Sequence, residues 1–78
     1  MEKSIHPKLP GHGHVTQLLD GFGFVESPDG HTLRFHRESC IDPGFEQLEV
    51  GDAVQFVAEY GPDGLHAKRV SALKHQSL

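Results

Sequence analysis

Short runs rich in Val, Phe and Leu alternate with Gly, Pro and Asp every eight to twelve residues, and no segment keeps a helical period over three turns. This spacing predicts a small all-β fold of short strands. A first strand is expected from about His14 to Leu19. Asp20-Gly21 then turns into a second strand, Phe22 to Glu26. Ser27-Pro28-Asp29-Gly30 carries the residues that preset a tight turn, and it leads into a third strand from His31 to Arg37. The stretch 38–51 reads as irregular, with Leu48 returning to plug the barrel end. A fourth strand, Ala53 to Tyr60, alternates cleanly: Val54, Phe56 and Ala58 inward, Gln55, Val57 and Glu59 outward. Gly61-Pro62-Asp63-Gly64 turns into the last strand, Leu65 to about Ser71. Five strands joined by one long third connection suit a five-stranded antiparallel Greek-key barrel, the OB-fold. Residues 1–11 are expected to be a flexible extension, with His6-Pro7 and Pro10-Gly11 blocking regular structure; 12–72 form the barrel and 73–78 a flexible tail.

Seventy-eight residues hold one small domain, with a stability of roughly 3–5 kcal/mol expected at this size. One cysteine, Cys40, permits no internal disulfide, which suits a reducing cytoplasm. The N-terminal residues lack the apolar run of roughly 7–15 residues that a signal peptide needs, and no membrane association is expected. The seven histidines are scattered, so no metal or other cofactor is expected. Catalysis is not expected either: no nucleophile lies beside a base and no glycine loop is built to grip phosphate.

The most informative run is Gly21-Phe22-Gly23-Phe24-Val25. In a strand, Phe22 and Phe24 share one face while Val25 points to the other. Two bare aromatics form a platform on which bases stack with little sequence preference, and the glycines read as spacers that leave the rings clear. The alternative is that both rings belong to a sandwich core, although Val15, Val25, Phe35, Val54 and Phe56 already supply an inner face. On the third strand, Leu33 and Phe35 should point inward, placing Arg34 and His36 beside the rings, with Arg37 at the strand end. Guanidinium stacks on bases and neutralises phosphate, and imidazole also stacks, gaining positive charge only when protonated. The alternative for the arginines is a solvated network with Glu26 and Glu38. Phe45, in the long loop, is either a lid over the barrel end or a further base contact. Overall charge opposes a strong phosphate binder. The net charge is −4, and 13–70 hold four basic residues (Arg34, Arg37, Lys68, Arg69) against ten acidic ones. Stacking must therefore supply most of the affinity.

Gly13-His14-Val15, the run 21–25, Phe35-His36, Gly44-Phe45, Leu48-Glu49, Gly51-Asp52-Ala53-Val54-Gln55-Phe56 and the turn 61–64 stand in an order that resembles the bacterial cold-shock domain. The resemblance covers about residues 12–71. Within that family it looks closest to cold-shock-like modules of ribosome hibernation factors, which carry a run similar to Phe35-His36-Arg37-Glu38-Ser39. The resemblance implies a barrel that binds single-stranded RNA or DNA through Phe22, Phe24, His36 and Phe45, with a weak RNA-chaperone-like role. Arg34 and Arg37 join these as candidate nucleic-acid contacts. A monomer is expected, although edge strands of small barrels can pair, with the ribosome or another protein as a further partner; the alternative function is a protein- or ribosome-interaction barrel. The sequence departs from the family pattern at Gln17, Leu18, Asp20, Arg34 and Arg37, where typical members carry aromatic or basic residues, and its first turn is two residues shorter. A weaker binder is the expectation.

Overall fold

The computed structural model describes residues 9–42, 44–62 and 64–73. The expected strands form, and they close on themselves. Five long or medium strands, β1 (Leu9–Leu18), β2 (Phe22–Glu26), β3 (Thr32–His36), β5 (Ala53–Gly61) and β6 (Gly64–Ala72), are joined by a short β4 (Cys40–Asp42). The order across the sheet is β3-β2-β1-β5-β6-β4, and a parallel bridge from Arg34 to His66 ties β3 to β6 and closes the barrel. The meander β1-β2-β3 and the hairpin β5-β6 are antiparallel. The parallel pairings are that bridge and β4 against β6.

Alternation places the core where the sequence implies it. Val15, Val25, Leu33, Phe35, Leu48, Val54, Phe56, Ala67 and Val70 are buried together inside the barrel. Leu48 does return to the core, from a loop anchored on β1, where the Gly51 N–H donates to the Val15 carbonyl and the Val15 N–H donates to the Asp52 carbonyl. The two-residue turn Asp20-Gly21 is closed by the Leu19 N–H donating to the Phe22 carbonyl at 2.7 Å. Gly21 sits at φ 88°, a conformation that glycine adopts without steric cost.

Three features differ from the expectation. First, β1 begins at Leu9 rather than His14, because Leu9 to His14 pair with Ala58 to Ala53 of β5. Pro10 is accommodated in that ladder opposite Val57. Residues 1–8 of the expected extension and 74–78 of the expected tail lie outside the described residues. Second, the stretch after β3 is not wholly irregular. It holds a 3-10 turn at Arg37–Ser39, the short β4, and another 3-10 turn at Phe45–Gln47. Third, two β-bulges shift the phase of the pleat. In β1 the pairing with β2 skips Thr16, so that Val15 and Leu18, three residues apart, both face the core. In β6 the register with β5 slips between Gln55 and Val57, so that Ala67 and Val70 are both buried.

The second bulge forces Arg69 to φ 54°, the only non-glycine residue at positive φ among the described residues. A side chain in this region costs on the order of 1 kcal/mol, which glycine and asparagine largely escape. Arg69→Gly and Arg69→Asn are therefore expected to stabilise the barrel by about 0.5–1 kcal/mol. Thermal unfolding followed by circular dichroism should show a midpoint raised by a few degrees. A lowered midpoint in both variants would mean that contacts of the arginine outweigh its strain.

Candidate nucleic-acid interface

The strand register fixes which side chains share the outer face. Phe22 lies opposite His36 and Phe24 opposite Arg34, so two aromatic rings, a guanidinium and an imidazole form a block on β2 and β3. Neither ring belongs to the buried core; each is half-buried. They meet edge to face, with centroids 5.9 Å apart and planes at 78°. Rings in this arrangement hold each other's orientation. Arg34 and His36 are exposed.

The block continues sideways. The β1 bulge places Gln17 opposite Phe24, and the closing bridge places His66 opposite Arg34. Gln17, Phe24, Arg34 and His66 thus stand in one transverse row over β1, β2, β3 and β6. At the usual strand spacing this row is about 14 Å long.

The glycines do not have the role the sequence suggested. A Cβ on Gly23 would lie 2.7 Å from the Gln17 carbonyl oxygen, 2.8 Å from Phe35 Cζ and 3.0 Å from Leu18 Cδ2. Gly23 is buried and makes room for the core and for β1, on the face opposite the rings. The rings are left clear by the alternation of the strand, not by its glycines.

Arg37 and Phe45 stand apart from the block. Arg37 leaves the strand at the first residue of the 3-10 turn, and its Nη2 donates to Glu46 Oε2 at 2.6 Å. It is Glu46, rather than Glu26 or Glu38, that pairs with it. The guanidinium also lies 5.8 Å from the Phe45 ring centroid. Phe45 in turn packs edge to face on the core residue Phe35, at 6.2 Å and 61°. Phe45 is therefore a lid on the barrel, with Arg37 across it. The ion pair is exposed on both sides and is worth at most about 1 kcal/mol, so an incoming phosphate competes easily for Arg37.

Cys40 is not a reactive thiol. Burial pushes it up to about 11, so it stays protonated near neutral pH. Among the described residues no group of three His, Cys, Asp or Glu side chains converges as a metal site would require.

The resemblance implied Phe22, Phe24 and His36 on one outer face of a five-stranded barrel, and the register sets these three side by side, with Arg34 among them where the family pattern has an aromatic. The family described as the 'Cold-shock' DNA-binding domain matches residues 11–73. The chain belongs to the cold-shock domain family. Cold shock-like protein CspA of Vibrio cholerae is 34% identical over 67 residues, covering 85% of this chain and 96% of that protein. Cold shock-like protein CspA of Shewanella violacea is 41% identical over 54 residues, 68% and 77% of the two chains. Cold shock protein 1 of Arabidopsis thaliana is 42% identical over 45 residues, 56% of this chain but 15% of that longer protein. Nucleic-acid binding is the function this cold-shock domain shares with its family. The sequence reading did not single out His66. Its outward direction follows from the alternation Leu65-His66-Ala67, but its neighbour on β3 is set only by barrel closure.

Proposed function

We propose that this cold-shock domain holds single-stranded RNA or DNA by stacking bases on Phe22 and Phe24, with Arg34 and His36 facing phosphate and base edges. The observation that carries this reading is the pair of half-exposed rings, kept out of a core that is complete without them and matched across the strands by an arginine and a histidine. Trapping unpaired bases melts weak secondary structure, which is an RNA-chaperone-like activity without chemistry. Arg37, lying across the Phe45 lid, forms a secondary contact at the barrel end, engaged when phosphate draws it from Glu46.

Fluorescence anisotropy with labelled oligo-U and oligo-dT tests the platform. Phe22→Ala and Phe24→Ala should each lose about 1–3 kcal/mol of binding, roughly 5- to 150-fold, with the circular dichroism spectrum unchanged. With Arg34 and Arg37 as the phosphate contacts, the salt dependence should be shallow, with a slope near −1.4 in log–log form at about −0.7 per contact. Unaltered binding in both alanine variants would remove the platform from the interface.

A further inference from the structure

Beside the aromatic block lies a depression lined by Phe24, Thr32, Arg34, Leu65 and His66. It sits where β3 and β6 close the barrel, at the end of the transverse row. Its far wall is the His66 ring, and the position of that ring is built into the backbone. A Cβ on Gly61 would collide with His66 Cε1 and lie 3.1 Å from Nδ1 and 3.4 Å from Nε2. Cε1 is the nearest atom with both nitrogens behind it, so the Cε1 edge of the imidazole occupies the space a Gly61 side chain would have filled. Gly61 has no positive φ, so its lack of a side chain here is a matter of space rather than backbone conformation. The Cε1 edge of the half-exposed ring is thus seated against β5 before any ligand arrives, which leaves a ring face for a base. A preseated aromatic loses little side-chain freedom on binding, which is the main saving available to a small interface.

The row has an asymmetry. At its β1 end stands Gln17, which offers no ring. At its β6 end stands His66, with Arg34 between it and Phe24. Stacking surface therefore runs from β2 across β3 toward β6, with the positive charge of Arg34 in its middle. Beyond His66 the next residue across the sheet is its β5 partner Glu59, which adds neither a ring nor a positive charge, so the track ends there.

We infer that His66 is a further nucleic-acid-binding residue, and that the depression takes one nucleotide beyond the Phe22–Phe24 platform, its base on the His66 ring and its phosphate toward Arg34. The inference rests on the platform reading and extends it by one subsite. Sequence tolerance is expected here too, because the stacking ring accepts any base, while the Thr32 hydroxyl at the rim offers a single polar contact.

Anisotropy titrations of labelled oligo-U and oligo-dT of four to eight nucleotides test it on the whole chain. His66→Ala should weaken binding of the longer oligonucleotides about fivefold or more, and should shorten by one the length at which affinity stops rising. His66→Phe should restore the wild-type affinity. Gly61→Ala keeps the imidazole but pushes it off its seat, and should weaken binding as His66→Ala does. Thermal unfolding shows whether each variant is folded, and NMR shifts of the His66 ring on adding oligo-U give an answer that needs no variant. Wild-type affinity in His66→Ala and Gly61→Ala, with silent His66 signals and a weakened Phe24→Ala, would overturn this subsite and leave the platform standing. Failure of His66→Phe to rescue would overturn stacking as its mode. Loss of none of these affinities, in Phe24→Ala as well, would remove the platform itself.

Discussion

Gly13→Ala is expected to unfold the protein at growth temperature. Gly13 lies in β1 next to His14, whose partner is Glu26 at the end of β2. A Cβ at Gly13 would overlap the Glu26 carbonyl oxygen, and it would stand 2.9 Å from the Glu26 carbonyl carbon and 3.2 Å from Ser27 Cα. All three are backbone atoms, so no side-chain rotation can relieve the clash. The strands would have to separate where β1 crosses from β2 to β5, since residues 9–14 pair with β5 and 14–18 with β2. Overpacking against side chains typically costs about 1–3 kcal/mol. Against fixed backbone the cost should reach about 3 kcal/mol or more, comparable to the whole stability of a barrel this small. A melting midpoint lower by about 12–24 °C, or no cooperative transition at all, is the expected result at about 4–8 °C per kcal/mol. His14→Ala, one residue along on the exposed face, should change the midpoint little. A Gly13→Ala protein that melts within a few degrees of wild type would contradict the close approach of β1 and β2.

The barrel was legible in the sequence because it depends on short-range chemistry. Alternating apolar residues marked β2, β3 and β5 nearly to the residue, and the turn at Asp20-Gly21 has the conformational freedom that its composition announced. That Arg34 and His36 share the outer face with Phe22 and Phe24 followed from the same alternation, while the pairing of Phe22 with His36 and Phe24 with Arg34 came from the hairpin's register. What escaped was whatever depends on a break in period. Both bulges place two core residues three positions apart, Val15 with Leu18 and Ala67 with Val70. A reading with strict period two puts one of each pair outside. Residues 9–13 escaped because Pro10-Gly11 argues against a strand, whereas here the ladder to β5 runs through it. The short β4 pairs in parallel with β6, a contact between segments about thirty residues apart that no local pattern encodes. Arg37 could be placed at a strand end, but its choice of Glu46 over nearer carboxylates depends on how the long loop folds back. The two phenylalanines were read correctly as sharing a face, yet the glycine between them was read as a spacer for the rings, because the close approach it permits shows only in what its missing side chain would have struck.

The same bulge that hid Gln17 from a period-two reading makes it the most informative position for changing affinity. Without the skip at Thr16, residue 17 would follow Val15 inward; with it, Gln17 is exposed and directly opposite Phe24. Side chains paired across antiparallel strands are close enough for large rings to touch, with Cβ atoms roughly 4.5–5.5 Å apart. Gln17→Trp should therefore extend the platform over β1 without entering the core, since the residue already points to solvent. Each additional stacked base is worth about 1–3 kcal/mol, so binding of a labelled hexanucleotide at fixed salt should tighten roughly 5- to 150-fold. The chain has no native tryptophan, and the introduced indole is its own reporter: its fluorescence should be quenched as base stacks on it, at the same concentrations that raise the anisotropy. Because the platform rather than net charge supplies the added energy, the salt slope should stay as shallow as in the wild type. A folded variant whose affinity matches the wild type, with an indole that stays bright through saturation, would mean that the strand passes β1 by and that ligand lies elsewhere on the barrel.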